Sequence, residues 1–134
     1  MKRPTFLSAA DVLCIHASTI EREGGTAGIR DHALLTSAVM MPQQQFEGRY
    51  LHEDLPAMAA GYLFHITRNH PFLDGNKRAG VMAAYVFLDV NGVDMTATGK
   101  ELEQTVVAVA DGRMSKAELT AWMQEHTRPR RRRR

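Results

Sequence analysis

The sequence predicts an all-α protein, a compact bundle of about six helices with room for one small hairpin. Three observations carry that expectation. Apolar residues recur at helical spacing in one segment after another, and no run alternates with the two-residue period of a half-buried strand. Residues that cap helices stand immediately before these segments, and glycines or Asn-Gly pairs stand after them. The 134 residues, 44% of them hydrophobic, suit one domain with a single core, and no repeat divides the chain.

Ser8 followed by Asp11 predicts the first helix start, Val12, Ile15, His16, Thr19 and Ile20 its inner face, and Gly24-Gly25 its end. His16 lies on that apolar face and is read as a hydrogen-bonded core group. Cys14, the single cysteine, cannot form an internal disulfide and is read as a small core residue. Asp31 is placed to cap a short helix carrying Leu34, Leu35 and Ala38, which stops before Pro42.

From Met41 to His52 helical periodicity lapses, and polar residues mix with Phe46, Gly48 and Tyr50. This segment reads as a surface connection or as a flap whose edge, at Gln45, Phe46 and Glu47, can receive an extended segment of a target protein. Glu53-Asp54-Leu55-Pro56 then signals a helix whose apolar or small residues run almost unbroken to Asn69, so that it should be central and covered on most sides.

The stretch His70-Pro71-Phe72-Leu73-Asp74-Gly75-Asn76-Lys77-Arg78-Ala79-Gly80 interrupts this pattern. Pro71 disfavours helix at His70 and Gly75 frees the backbone, which predicts a tight loop over 70–75 and a new helix from Asn76 to Asn91-Gly92. The loop therefore feeds a helix N-terminus, where unpaired N–H groups and the positive end of the helix dipole favour an anion. Thr98 with Glu101 and Ser115 with Glu118 match the capping box and predict the last two helices.

The formal charge of +2 hides an acidic body, because Arg128 and Arg130 to Arg134 contribute six positive charges and their removal leaves −4. Residues 1–126 read as the single domain and 127–134 as a basic disordered tail, through which alone nucleic acid could be held. No apolar run approaches the ~18 residues of a membrane span, and Met1 to Thr5 lack the apolar stretch of a signal peptide. The expectation is a cytoplasmic protein that does not engage membranes.

The residues of the loop form a phosphate-handling inventory. Histidine exchanges protons near neutral pH, which makes His70 the candidate general base for a target hydroxyl. Asp74 offers a hard oxygen ligand for Mg²⁺, an ion that keeps most of its waters and is shared with substrate phosphates. Gly75 through its backbone, with Asn76, Lys77 and Arg78, would grip phosphate oxygens and neutralise charge developing in transfer. Phe72 is expected inside, anchoring the loop and orienting His70.

This stretch resembles the signature of the Fic/Doc superfamily, and Lys77 after Asn76 is similar to its Doc branch. Further residues resemble the Doc pattern in order: Phe6-Leu7-Ser8, His16, Gly24-Gly25, Gly28-Ile29-Arg30-Asp31, Leu35, Ser37-Ala38 and Phe46-Glu47-Gly48. The likeness spans roughly residues 6 to 125. Members that transfer AMP typically carry a second glycine and a second arginine where this chain has Lys77 and Val81. The Doc branch shares both departures and implies transfer of the γ-phosphate of ATP to a protein Ser/Thr hydroxyl. Its implied target is a translation elongation factor, and its implied partner an antitoxin whose disordered segment folds onto the toxin. AMP transfer is the alternative reading, and a catalytically silent binding module a third. Gly80 stands where Doc-like chains often carry a larger residue. Thr19 to Gly24 also fits the [ST]xxxE[GN] pattern by which some Fic enzymes inhibit themselves. There the glutamate needs the second arginine, which is Val81 here, so Glu23-Gly24 is read as a helix end.

Overall fold

A computed structural model describes residues 3–131; Met1, Lys2 and Arg132 to Arg134 lie outside the described residues. The described residues form six α-helices: α1 (Ala9–Glu23), α2 (His32–Met40), α3 (Leu55–Asn69), α4 (Asn76–Val90), α5 (Gly99–Ala110) and α6 (Lys116–Glu125). A short 3₁₀ turn, Met41–Gln43, follows α2 and contains Pro42. The caps expected at Ser8, Asp31, Thr98 and Ser115 are in place, and Asp54, read as an acid of the first turn, is itself the N-cap of α3. Ser8, Thr98 and Ser115 close reciprocal capping boxes, while Asp31 and Asp54 accept from the backbone N–H groups of Leu34 and Ala57. Each such cap is worth about 1 kcal/mol, so the helix starts are fixed locally before any packing is counted.

Helix α3 is the centre, as its composition predicts. Ala57 to Leu63, with Ile66 and Thr67, are buried, and α1, α2, α4, α5 and α6 are arranged about it or about α4. Tyr62 lies fully inside, accepts the Leu7 N–H at 2.9 Å and so ties the N-terminal segment to the core. Burial pushes its phenol up to about 12. Where α3 meets α4 the backbones approach closely: a Cβ on Gly80 would stand 2.6 Å from Thr67 Oγ1 and 3.1 Å from the Leu63 carbonyl oxygen.

The flap is a hairpin. Strands β1 (Gln45–Phe46) and β2 (Arg49–Tyr50) pair antiparallel, and Glu47 (φ 53°) with Gly48 (φ 78°) makes a two-residue turn with both φ positive, the geometry that matches strand twist.

Two expectations are corrected. A second hairpin joins β3 (Val93–Met95) to β4 (Thr127–Pro129), so the start of the supposed disordered tail is ordered. Arg130 continues it: its N–H donates to Gly92 O at 2.8 Å, and its guanidinium donates to Asp94 Oδ1 at 2.8 Å and Asp89 Oδ1 at 2.6 Å. Three-residue strands are too short to display a period, and the cation that looked solvated has two carboxylates waiting on α4 and β3. The rest of the tail expectation, from Arg132 onward, falls outside the described residues. Cys14, expected in the core, is exposed. The buried stripe of α1 is Val12, His16 and Thr19, and a residue two positions past Val12 points about 200° away from it.

A basic cluster sits beside α3 at its contact with α6. His52, 7% exposed, has no partner for either ring nitrogen, and its Nε2 lies 3.0 Å from where a Cβ on Gly61 would be. One turn on, His65 Nε2 is 3.0 Å from Lys116 Nζ. Burial, and then the charge of Lys116, lowers the titration of both imidazoles, that of His65 to about 4. Lys116 is itself lowered by burial. Among the described residues no helix is long and apolar enough to cross a membrane.

Candidate functional site

The loop between α3 and α4 begins at His70, which ends α3 in the left-handed region (φ 50°, ψ 55°). A non-glycine residue there needs outside support, and Arg30 supplies it. Its Nε donates to the His70 carbonyl at 2.6 Å and its Nη2 to the Asn69 carbonyl at 2.9 Å. Residues 28–31 run alongside the loop: Arg30 N and Asp31 N donate to Pro71 O, and Leu73 N donates to Gly28 O. The loop's backbone polar groups are thereby matched by a neighbouring segment rather than left to water.

Phe72 is the anchor expected of it, 1% exposed. Its ring stacks on His16 with centroids 3.7 Å apart and planes within 3°. His16 is buried and hydrogen-bonded, as read from the sequence, but its partner gives it a larger part: its Nε2 lies 2.8 Å from the Asp74 carbonyl oxygen. His16 thus braces the loop from α1. Neither His16 nor Arg30 stood out as a site residue in the sequence. Their partners lie about forty to sixty positions away and leave no local signal.

Asp74 is exposed, and its carboxylate is aimed by two backbone donors: Thr26 N–H to Oδ2 at 3.1 Å and Gly75 N–H to Oδ1 at 2.9 Å. Gly25 makes room for it. A Cβ at Gly25, whose φ is +112°, would come within 2.7 Å of Asp74 Oδ2. An ionised carboxylate has about four lone-pair sites, so roughly two remain free for a cation. Among the described residues no three His, Cys, Asp or Glu gather to cage a metal. A single preoriented carboxylate fits Mg²⁺, whose remaining positions go to water and phosphate.

Gly75 (φ 75°) leads into α4, and the first helical bond runs from Ala79 N to Gly75 O. The N–H groups of Asn76, Lys77 and Arg78 precede it and have no intrahelical acceptor. Lys77 and Arg78 are exposed, which brings two cations to the same helix end as those donors and Asp74. Asn76 departs from the expected grip on phosphate. Its side chain is buried: Oδ1 accepts from Phe72 N at 2.9 Å, and Nδ2 donates to Phe72 O at 3.0 Å and lies 3.3 Å from His70 Nδ1. What Asn76 leaves for an anion is its backbone N–H.

Glu23 ends α1 as read, with Gly24 as its cap, and its carboxylate also forms an ion pair with Arg78. The pairing is with the arginine present in the loop signature, three positions before Val81. Val81 itself is half-buried against the core. Gly80 serves the crossing of α3 and α4 instead of facing an anion. Gln45, Phe46 and Glu47 are all exposed on the flap, and among the described residues no side-chain hydrogen bond or ion pair links them to the loop.

An exposed imidazole, a preoriented carboxylate and two cations thus gather where α3 gives way to α4. The Fic/DOC family model matches residues 6–88, and the chain belongs to that family. Within it the chain falls in the Doc branch. It is similar to the protein called toxin Doc of Mycolicibacterium smegmatis (strain ATCC 700084 / mc(2)155), 42% identical over 92 residues, which cover 69% of this chain and 68% of the relative. It is similar also to protein kinase doc of Escherichia phage P1, 30% identical over 109 residues, 81% of this chain and 85% of the relative.

Proposed function

We propose that this chain is a Doc-type toxin that transfers the γ-phosphate of ATP to a Ser or Thr hydroxyl of a protein, with a translation elongation factor as the target class. The observation that carries the reading is the exposed His70 beside an open helix N-terminus furnished with Lys77, Arg78 and the Asp74 carboxylate. His70 takes the proton of the target hydroxyl. The hydroxyl oxygen then attacks the γ-phosphorus, the bond to the bridging oxygen breaks, and ADP leaves. Lys77, Arg78 and the first-turn N–H groups of α4 bind the phosphate oxygens and offset the charge that spreads over them in transfer. Asp74 would hold Mg²⁺, which when bound neutralises phosphate charge and orients the nucleotide.

Two features favour phosphate over AMP. Val81, packed against the core, supplies no second arginine, and a relative with 30% identity carries the name protein kinase. In this reading the protein works in the cytoplasm and is restrained by an antitoxin with a disordered segment that orders on binding, while the flap at Gln45, Phe46 and Glu47 receives the target. The test is a paired label assay in cell extract. ATP labelled at the γ-position should label one protein and ATP labelled at the α-position none, with His70→Ala lowering transfer by about 10²–10⁴-fold. Transfer of the α-label instead would establish AMP transfer, and transfer of neither would leave a binding module.

A further inference from the structure

We propose that Asn76 is a positioning residue that stores His70 with its proton on Nε2, so that the base must change tautomer before it can accept a proton from a hydroxyl. This rests on the reading of His70 as the base. The amide of Asn76 cannot turn over. Its Oδ1 accepts the Phe72 N–H at 2.9 Å and its Nδ2 donates to the Phe72 carbonyl at 3.0 Å, both in a buried setting. Reversal would set oxygen against oxygen and N–H against N–H, leaving two buried groups unpaired. The second hydrogen of Nδ2 is then directed to His70 Nδ1, 3.3 Å away.

A neutral imidazole has one N–H and one lone pair. With an amide hydrogen facing Nδ1, the lone pair belongs there and the proton on Nε2. The backbone of His70 is pinned by Arg30 and held at φ 50°, so relief must come from rotation of the ring rather than of the chain. A target hydroxyl approaching Nε2 therefore meets a donor where it needs an acceptor. Conversion requires the ring to leave Asn76. One water then gives a proton to Nδ1 while another takes one from Nε2, with no change in charge. Asn76 holds the loop together through Phe72 and by the same amide restrains the base.

The experiment is ¹⁵N NMR of histidine-labelled protein on the alkaline side of the imidazole titration, with exposed His32 as the internal reference. His70 should show one tautomer, Nε2 of the protonated type and Nδ1 of the lone-pair type, while His32 averages between both. In Asn76→Asp a carboxylate replaces the amide donor, so the two His70 nitrogens should exchange character. A part limited to holding Phe72 would not reverse the nitrogens. The proposal is overturned if wild-type His70 averages like His32 or carries its proton on Nδ1, or if a folded Asn76→Asp protein keeps the wild-type tautomer. Should that variant fail to fold, the wild-type comparison with His32 decides alone. Absence of label transfer by the wild type would refute the kinase reading without touching the tautomer result.

Discussion

Acid should loosen this protein through the cluster at the contact of α3 with α6. Burial and the neighbouring Lys116 hold His65 at about 4 in the folded chain, against an ordinary histidine value of 6.5 in the unfolded one. The unfolded chain therefore takes up the proton first, and stability rises with pH wherever it does so. The contribution is complete above 6.5, declines as pH falls towards 4, and is gone below that. Realised in full, a shift of this size would amount to about 3 kcal/mol at 1.36 kcal/mol per unit. The ring keeps part of its exposure and solvent screens it, so about half, roughly 1.5 kcal/mol, is the expected loss. His52 is lowered for the same two reasons and acts with the same sign. The assay is urea unfolding at a series of pH values from neutral to mildly acidic, following the midpoint. His65→Gln, which keeps an acceptor for Lys116, should flatten the slope. A wild-type midpoint that does not change between neutral pH and pH near 5, or a variant that declines just as steeply, would refute the reasoning.

Two further substitutions probe the site and the helix that carries it. Glu23→Gln removes the partner of Arg78; since both side chains are well exposed, at 39% and 55%, the pair is worth no more than about 1 kcal/mol. ATP affinity measured by calorimetry at low salt should then improve by up to about fivefold, and an unchanged affinity would mean that Glu23 does not compete with phosphate. Gly80→Ala gains about 1 kcal/mol of helix propensity. Its methyl group must nevertheless fit 3.1 Å from the Leu63 carbonyl, which belongs to a buried backbone. The expected net effect is a loss of about 1–3 kcal/mol in urea unfolding, and a stabilised variant would show that the crossing of α3 and α4 can widen.

Helix starts were readable because their causes are local. Ser8, Asp31, Asp54, Thr98 and Ser115 each bond a backbone N–H three residues on, so the sequence window that contains the signal also contains its partner. The same holds for the loop over 70–75, whose Pro71 and Gly75 act on their own backbone. What escaped is non-local. Val93 pairs with Pro129, His16 reaches Asp74, and Arg30 reaches Asn69 and His70, contacts that no spacing rule anticipates. The inward turn of the Asn76 side chain was hidden for a related reason: residue type announces a polar group, but only the path of the loop decides whether that group faces solvent or the Phe72 backbone. Cys14 shows the converse, an apolar residue displaced from the buried stripe by a fraction of a helical turn.

The bracing of the Asp74 segment by α1 and the turn after it has a thermodynamic consequence. Because His16, Gly25 and Thr26 touch the residues that would hold nucleotide, ligand free energy is shared with the N-terminal third of the chain. A nucleotide present at a hundred times its dissociation constant lends the folded state about 2.7 kcal/mol. Through these contacts that energy suppresses the opening of α1 as well as of the loop. Amide exchange along α1 should therefore slow when the site fills, which makes a helix almost sixty residues upstream a reporter of occupancy.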